Sequence, residues 1–129
     1  MTEQAVQAWL HARLGEGHFG HREHLGLVWV AIDEAGPDAA GDVVANLLHE
    51  VAAAHGEPAR YHETLTRFWV WVVVFVRRQH PAVPNLDAAI EGFPHLLDKD
   101  LPLRHWSPNE MWSPRARRQW SEPDLVPLP

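Results

Sequence analysis

Nine apolar residues in a row, FWVWVVVFV at 68–76, stand between Arg67 and the pair Arg77 and Arg78. A run like this must be buried, and few architectures can bury it. It is too short to cross a bilayer as a helix, which takes roughly 20 residues. Its β-branched content would suit a buried strand. Three features predict a helix instead. The flanks YHETLTRF and VRRQ extend the segment to 61–79. Its start is acidic and its end basic, as the helix dipole favours. No other segment reads as a strand to pair with it, and a lone strand is not viable. Pro81 closes it. The second half is apolar nearly all round, so this helix is expected to be central and the most buried.

The rest of the chain supplies partners for it. Val6, Trp9, Leu10 and Leu14 recur at helical spacing over 3–14, and Gly15 and Gly17 stop the pattern. Leu25, Val28, Trp29 and Ile32 mark a helix over 21–35, ended by Gly36-Pro37. Asp38 is placed to cap a third helix over 38–55, with Val43, Val44, Leu47 and Val51 on its apolar face. After Pro81 the chain is rich in Pro, Trp and Leu. Short helices are expected at 86–91, 94–99, 108–112 and 114–119, with extended chain between them. Trp106, Met111, Trp112 and Trp120 carry too much apolar surface for a solvated linker. The tail should wrap back over the bundle or over a neighbouring subunit. The expected fold is therefore all-α: one domain over 1–129, an up-and-down bundle of four main helices over 3–80, and an irregular C-terminal wrap over 81–129.

Composition removes several function classes. The chain has no Cys, which excludes disulfides, thiolate catalysis and Cys-ligated metal. A net charge of −6 argues against nucleic acid as a partner. The one basic cluster, RARRQW at 115–120, reads as a local ion-pairing surface. No basic-then-apolar leader pattern opens the sequence, and no segment suits a membrane, so a cytoplasmic protein is expected. What stands out is 10 His and 7 Trp in 129 residues.

Helix phase and bundle end sort the histidines. At 100° per residue, His21 falls on the Val28 and Ile32 line and points at the core, with His24 bordering it. His11 and His49 face out. Short loops force neighbouring helices antiparallel, so the second and fourth helices start at the same end. That end collects His21, His24, His62 and Glu63, with His18 and His55 in nearby loops; His80 goes to the other end. Two His at i, i+3 plus a His and a carboxylate from another helix form a workable set for a divalent metal, Fe, Zn, Cu, Mn or Ni. Without metal, the same residues form an acid–base set. The plainer alternative is a helix start with an acidic first turn. Tyr61, beside His62 and Glu63, is a further catalytic candidate. His105 and Arg117 are candidate substrate contacts carried over the site by the tail, though Arg117 could equally pair with Glu122 or Asp124. Thr64 and Thr66 are assigned to bonding back onto their own helix.

The segments FGHREHLGLVW, YHETLTRFW, LRHWSPNEMWSPRARRQW and PDLVPLP together resemble a pattern of small uncharacterised bacterial, His-rich helical proteins. The pattern falls on Phe19, His21, His24 and Leu25, on Tyr61 to Thr66, and on Ser107, Met111, Ser113, Ala116 and Arg117. It departs at Trp106, where the pattern has Tyr. The resemblance attaches no activity; it implies that the tail belongs in one unit with the histidine segments.

The resulting expectation is a small-molecule enzyme with a divalent metal as cofactor, His21, His24, His62 and Glu63 as its ligands, and Glu63, His62 and Tyr61 as catalytic groups. The rivals are a metal-free small-molecule-binding module and an accessory subunit that docks through its Trp-rich tail. A homodimer fits the last.

Overall fold

The computed structural model describes residues 2–17 and 19–129, so His18 lies outside the described residues. Among the described residues every regular element is helical. Four main helices form the bundle: α1 (Thr2–Gly15), α2 (His21–Ala35), α3 (Ala40–Ala54) and α4 (Glu63–Gln79). The short helices α5 (Leu86–Gly92), α6 (Pro108–Met111) and α7 (Pro114–Arg118) follow, each started by a side-chain cap from Asn85, Ser107 or Ser113. No helix among the described residues is long and apolar enough to cross a membrane.

The bundle senses follow from specific contacts. His21 meets Trp69 at 4.4 Å between ring centroids, and Arg77 reaches the Trp29 carbonyl and the Asp33 carboxylate. So α2 and α4 run parallel and start at the same end. The Arg77 guanidinium also lies over the Trp29 ring, an attraction of roughly 0.5–2 kcal/mol. Gly41 lies against Arg67 and Val70, and His49 stacks on Tyr61, so α3 runs antiparallel to α4. α1 packs on α2, where Trp9 lies flush on Gly26; a Cβ there would stand 2.7 Å from the indole edge.

The core joins Val6 and Leu10 of α1, Leu25, Val28 and Ile32 of α2, Val44 and Leu47 of α3, and Phe68, Val72, Val73 and Val76 of α4. α4 is packed by α2, α3 and the tail, but α2 shares the centre, contacting α1, α3, α4 and α5. Nor is α4 buried all round. Phe75 is 37% exposed and stacks on half-buried Trp71.

The tail wraps back over its own bundle. Trp106, 0% exposed, is the largest fully buried side chain; it packs edge-on to Phe68 and Trp120 and donates its indole N–H to the Ser121 carbonyl. Burying a side chain of this size contributes roughly 3 kcal/mol or more. Asp124 receives both the backbone N–H and the hydroxyl of Ser107, which holds its carboxyl below the usual range.

Several boundaries differ from expectation. α3 starts at Ala40 with Ala39 at the cap position, because Asp38 turns to Arg78 instead. α4 starts at Glu63, with Tyr61 and His62 in extended backbone. The helix expected over 94–99 is a 3-10 turn at Pro94–Leu97, and further 3-10 turns occupy Pro58–Arg60 and Leu101–Arg104, where break and extended chain were expected. In all three a proline early in the turn presets φ for a helical start.

Candidate functional site: an imidazole-lined cleft at one end of the bundle

The common start of α2 and α4 opens into a cleft of about 770 Å3. Val28, Val44, Leu48, Val51, Leu65 and Trp69 form its apolar walls, with Trp112, 51% exposed, at the rim. The polar groups among the lining include His21, His24, His55, Tyr61, His62 and Thr66. The convergence of the histidine segments expected from helix sense is therefore present, but the side chains do different work from one another.

His62 is a structural residue of two segments at once. Its Nδ1 accepts the N–H of Leu65 at 3.1 Å, which makes it the N-cap of α4, a place more often held by Ser, Thr, Asp or Asn. Its Nε2–H donates to the Met111 carbonyl at 2.7 Å, tying the tail to the helix start. Only the neutral ring with its proton on Nε2 satisfies both bonds. The ring is 6% exposed, and burial lowers its pKa.

Glu63 is equally committed. Tyr61 donates its hydroxyl proton to Oε1, and Arg67 Nε donates to Oε2 at 3.0 Å. Arg67 continues to Asp42 of α3 at 2.9 Å. Glu63 does not line the cleft. Burial, with the neighbouring Glu63 carboxylate, raises the Tyr61 pKa, so that phenol stays protonated. Tyr61, His62 and Glu63 thus organise the start of α4.

His21 and His24 differ from that group. The Nε2–H of His21 donates to the Leu96 carbonyl at 2.8 Å, while its ring stands edge-on to Trp69. The Nδ1–H of His24 donates to the Gly20 carbonyl at 2.9 Å, beside the ring of Phe19. Gly20 is itself held by Glu23, which accepts its N–H at 2.7 Å and so shapes the start of α2. A carbonyl can only accept, so each ring's proton is assigned and the other nitrogen carries a lone pair. Burial lowers the pKa of both rings, with Lys99 adding to the effect at His21.

The proposed metal tetrad is not gathered. Both nitrogens of His62 are occupied, and a metal ligand must offer a free lone pair; Glu63 is turned to Tyr61 and Arg67, away from the cleft lining. Among the described residues no three His, Asp or Glu side chains converge where a metal could sit. The residues present do not fit the expected set of four.

The two substrate candidates lie outside the cleft lining. His105 donates Nδ1–H to the Val126 carbonyl and accepts the Leu125 N–H at its own carbonyl, pinning the end of the tail. Arg117 leans on the carbonyls of Ala59 and Arg60 rather than on Asp124 or Glu122. Glu122 takes the indole N–H of Trp120. Thr64 does not bond back onto its helix. Fully buried, it donates to the Gln119 carbonyl at 2.9 Å and accepts the Ser121 N–H at 3.1 Å. His49 is exposed as expected, yet stacks on Tyr61 at 3.6 Å.

Sequence reasoning missed Trp112 and Phe19 as cleft residues. Trp112 stands 5.8 Å edge-on from His62, across the break between bundle and tail. Phe19 was in view, directly before the His21 segment, as an apolar residue with no place in a helix stripe. Comparison of the chain with protein-family models, curated proteins and solved structures finds no match.

Proposed function

We propose that this chain binds a small, mainly apolar molecule in the cleft between the starts of α2 and α4, and that it does so through its own side chains without a metal held by His62 and Glu63. The observation that carries this reading is the cleft itself. It has the size of a small-molecule site, aliphatic and indole walls, and a few oriented polar groups. The two half-buried imidazoles of His21 and His24 are held in place by backbone carbonyls, so they are organised before any ligand arrives. The metal-dependent enzyme is less well supported, because two of its four ligands already hold the fold together.

Three measurements decide between these. Native mass spectrometry of untagged protein, before and after denaturation, tests for a co-purified small molecule. Titration of 15N-labelled protein with small aromatic and aliphatic compounds should move the indole resonances of Trp69 and Trp112. If no compound shifts them and none co-purifies, the binding reading is wrong. Elemental analysis covers the rival: stoichiometric metal lost in His24→Ala and His62→Ala, but kept in His49→Ala, would restore the metal site.

A further inference from the structure

The imidazoles of the cleft share a hydrogen-bonding polarity. His21 gives its ring proton to Leu96, His24 to Gly20 and His62 to Met111, at 2.7–2.9 Å in each case. His55, at the end of α3, likewise gives Nδ1–H to the Val51 carbonyl at 2.8 Å. The Tyr61 proton goes to Glu63. The side-chain donors of these five residues are spoken for. What they leave over is acceptor capacity: Nδ1 of His21, Nε2 of His24 and Nε2 of His55.

We infer that the cleft selects neutral, mainly apolar molecules that carry a hydrogen-bond donor, such as a heteroaromatic N–H or a phenolic O–H, over isosteres that carry only an acceptor. The inference rests on the binding reading above and names the class of ligand for that site. A donor on the ligand pairs with a ring nitrogen that must otherwise give up water. An ether or furan oxygen at the same place leaves that nitrogen unpaired and adds a second unpaired acceptor. Charge gives no comparable preference. Lys99 and Arg60 among the lining are matched by Asp100 and Glu57, and Arg60 and Glu57 pair with each other at 2.9 Å. A neutral ligand is the one such a rim neither attracts nor repels by sign. The flat walls at Trp69 and Trp112 suit an aromatic body.

The test uses two probes of nearly equal shape, indole, with one N–H donor, and benzofuran, with one ring oxygen in its place. Both are titrated into 15N-labelled full-length protein at pH 7.5, and affinities are read from cleft resonances. Indole should bind roughly five- to tenfold more tightly. His24→Phe, which keeps a ring and removes one of the acceptors, should narrow the ratio of indole to benzofuran affinity. Long-range 1H–15N spectra of the wild-type imidazoles provide a check that needs no variant. They should place the proton of His24 and His55 on Nδ1 and that of His21 on Nε2. Equal affinity for the two probes, or the opposite tautomer at His24, overturns the donor rule and leaves the cleft as a binding site. If neither probe shifts any cleft resonance, the binding reading falls and this inference falls with it.

Discussion

The imidazole of His62 joins the first turn of α4 to the carbonyl of Met111, 49 residues further along the chain, with a 2.7 Å bond from Nε2 and a 3.1 Å bond into Nδ1. One neutral ring therefore caps the helix that carries the nine-residue apolar run and fastens the tail over it. His62→Ala removes the cap, the tail bond and the ring's packing. Each lost bond costs about 1 kcal/mol and the cavity adds to it, so we expect a loss of about 2–4 kcal/mol in urea unfolding. His62→Asn, which can still cap Leu65, should recover about 1 kcal/mol. A His62→Ala variant within about 0.5 kcal/mol of wild type would show that the ring holds neither segment.

Acid should weaken the protein before its carboxylates titrate. His21, His24 and His62 all have their pKa lowered below the usual 6.5, chiefly by burial. Below that value the unfolded chain takes up protons that the folded chain refuses, so stability is lost as pH falls. It is fully present above pH 6.5 and declines as pH drops toward the lowered folded values. Unfolding midpoints at pH 7.5 and 5.5 should therefore differ, with the lower value at pH 5.5. Equal midpoints would mean that these rings titrate freely in the folded state.

Thr64 connects the tail to α4 through one oxygen, donating to Gln119 and accepting from Ser121. Thr64→Val keeps the shape and strands two backbone groups, at about 1–3 kcal/mol each. Limited proteolysis should then cut sooner within 104–129, and Thr64→Ser should restore resistance. Unchanged cleavage in Thr64→Val would show that the tail is held without this hydroxyl.

Gly26 admits the indole of Trp9, whose edge atoms would stand 2.7 and 2.9 Å from an added Cβ. An indole cannot fold out of the way as a flexible chain can, so Gly26→Ala must shift α1 on α2. We expect a cost of about 1–3 kcal/mol by thermal or urea unfolding. Trp9→Leu in the same chain should make Gly26→Ala much cheaper. If the two effects simply add, the contact is not what excludes the methyl group.

Much of the frame can be read from the letters. The span of α2, its stop at Gly36, the helical rather than strand character of 68–76 and the shared end of α2 and α4 all follow from apolar period, Gly and Pro placement and loop length. These are properties of short stretches of chain, and helix period and loop length act locally. The same reasoning brought His21, His24 and His62 to one end of the bundle.

It could not say what each imidazole does there. The capping role of His62 depends on Leu65 nearby and on Met111 far away; His21 depends on Leu96, and Thr64 on Gln119 and Ser121. Those distant partners sit in a tail of short turns that shows no period. All of them are main-chain groups, which every residue carries, so no letter in the sequence marks them. Sequence alone determined which side chains share an end, because helix phase and direction are local. Only the tertiary structure decided which ring nitrogens remain free, because that depends on which main-chain oxygens come within 3 Å of each ring.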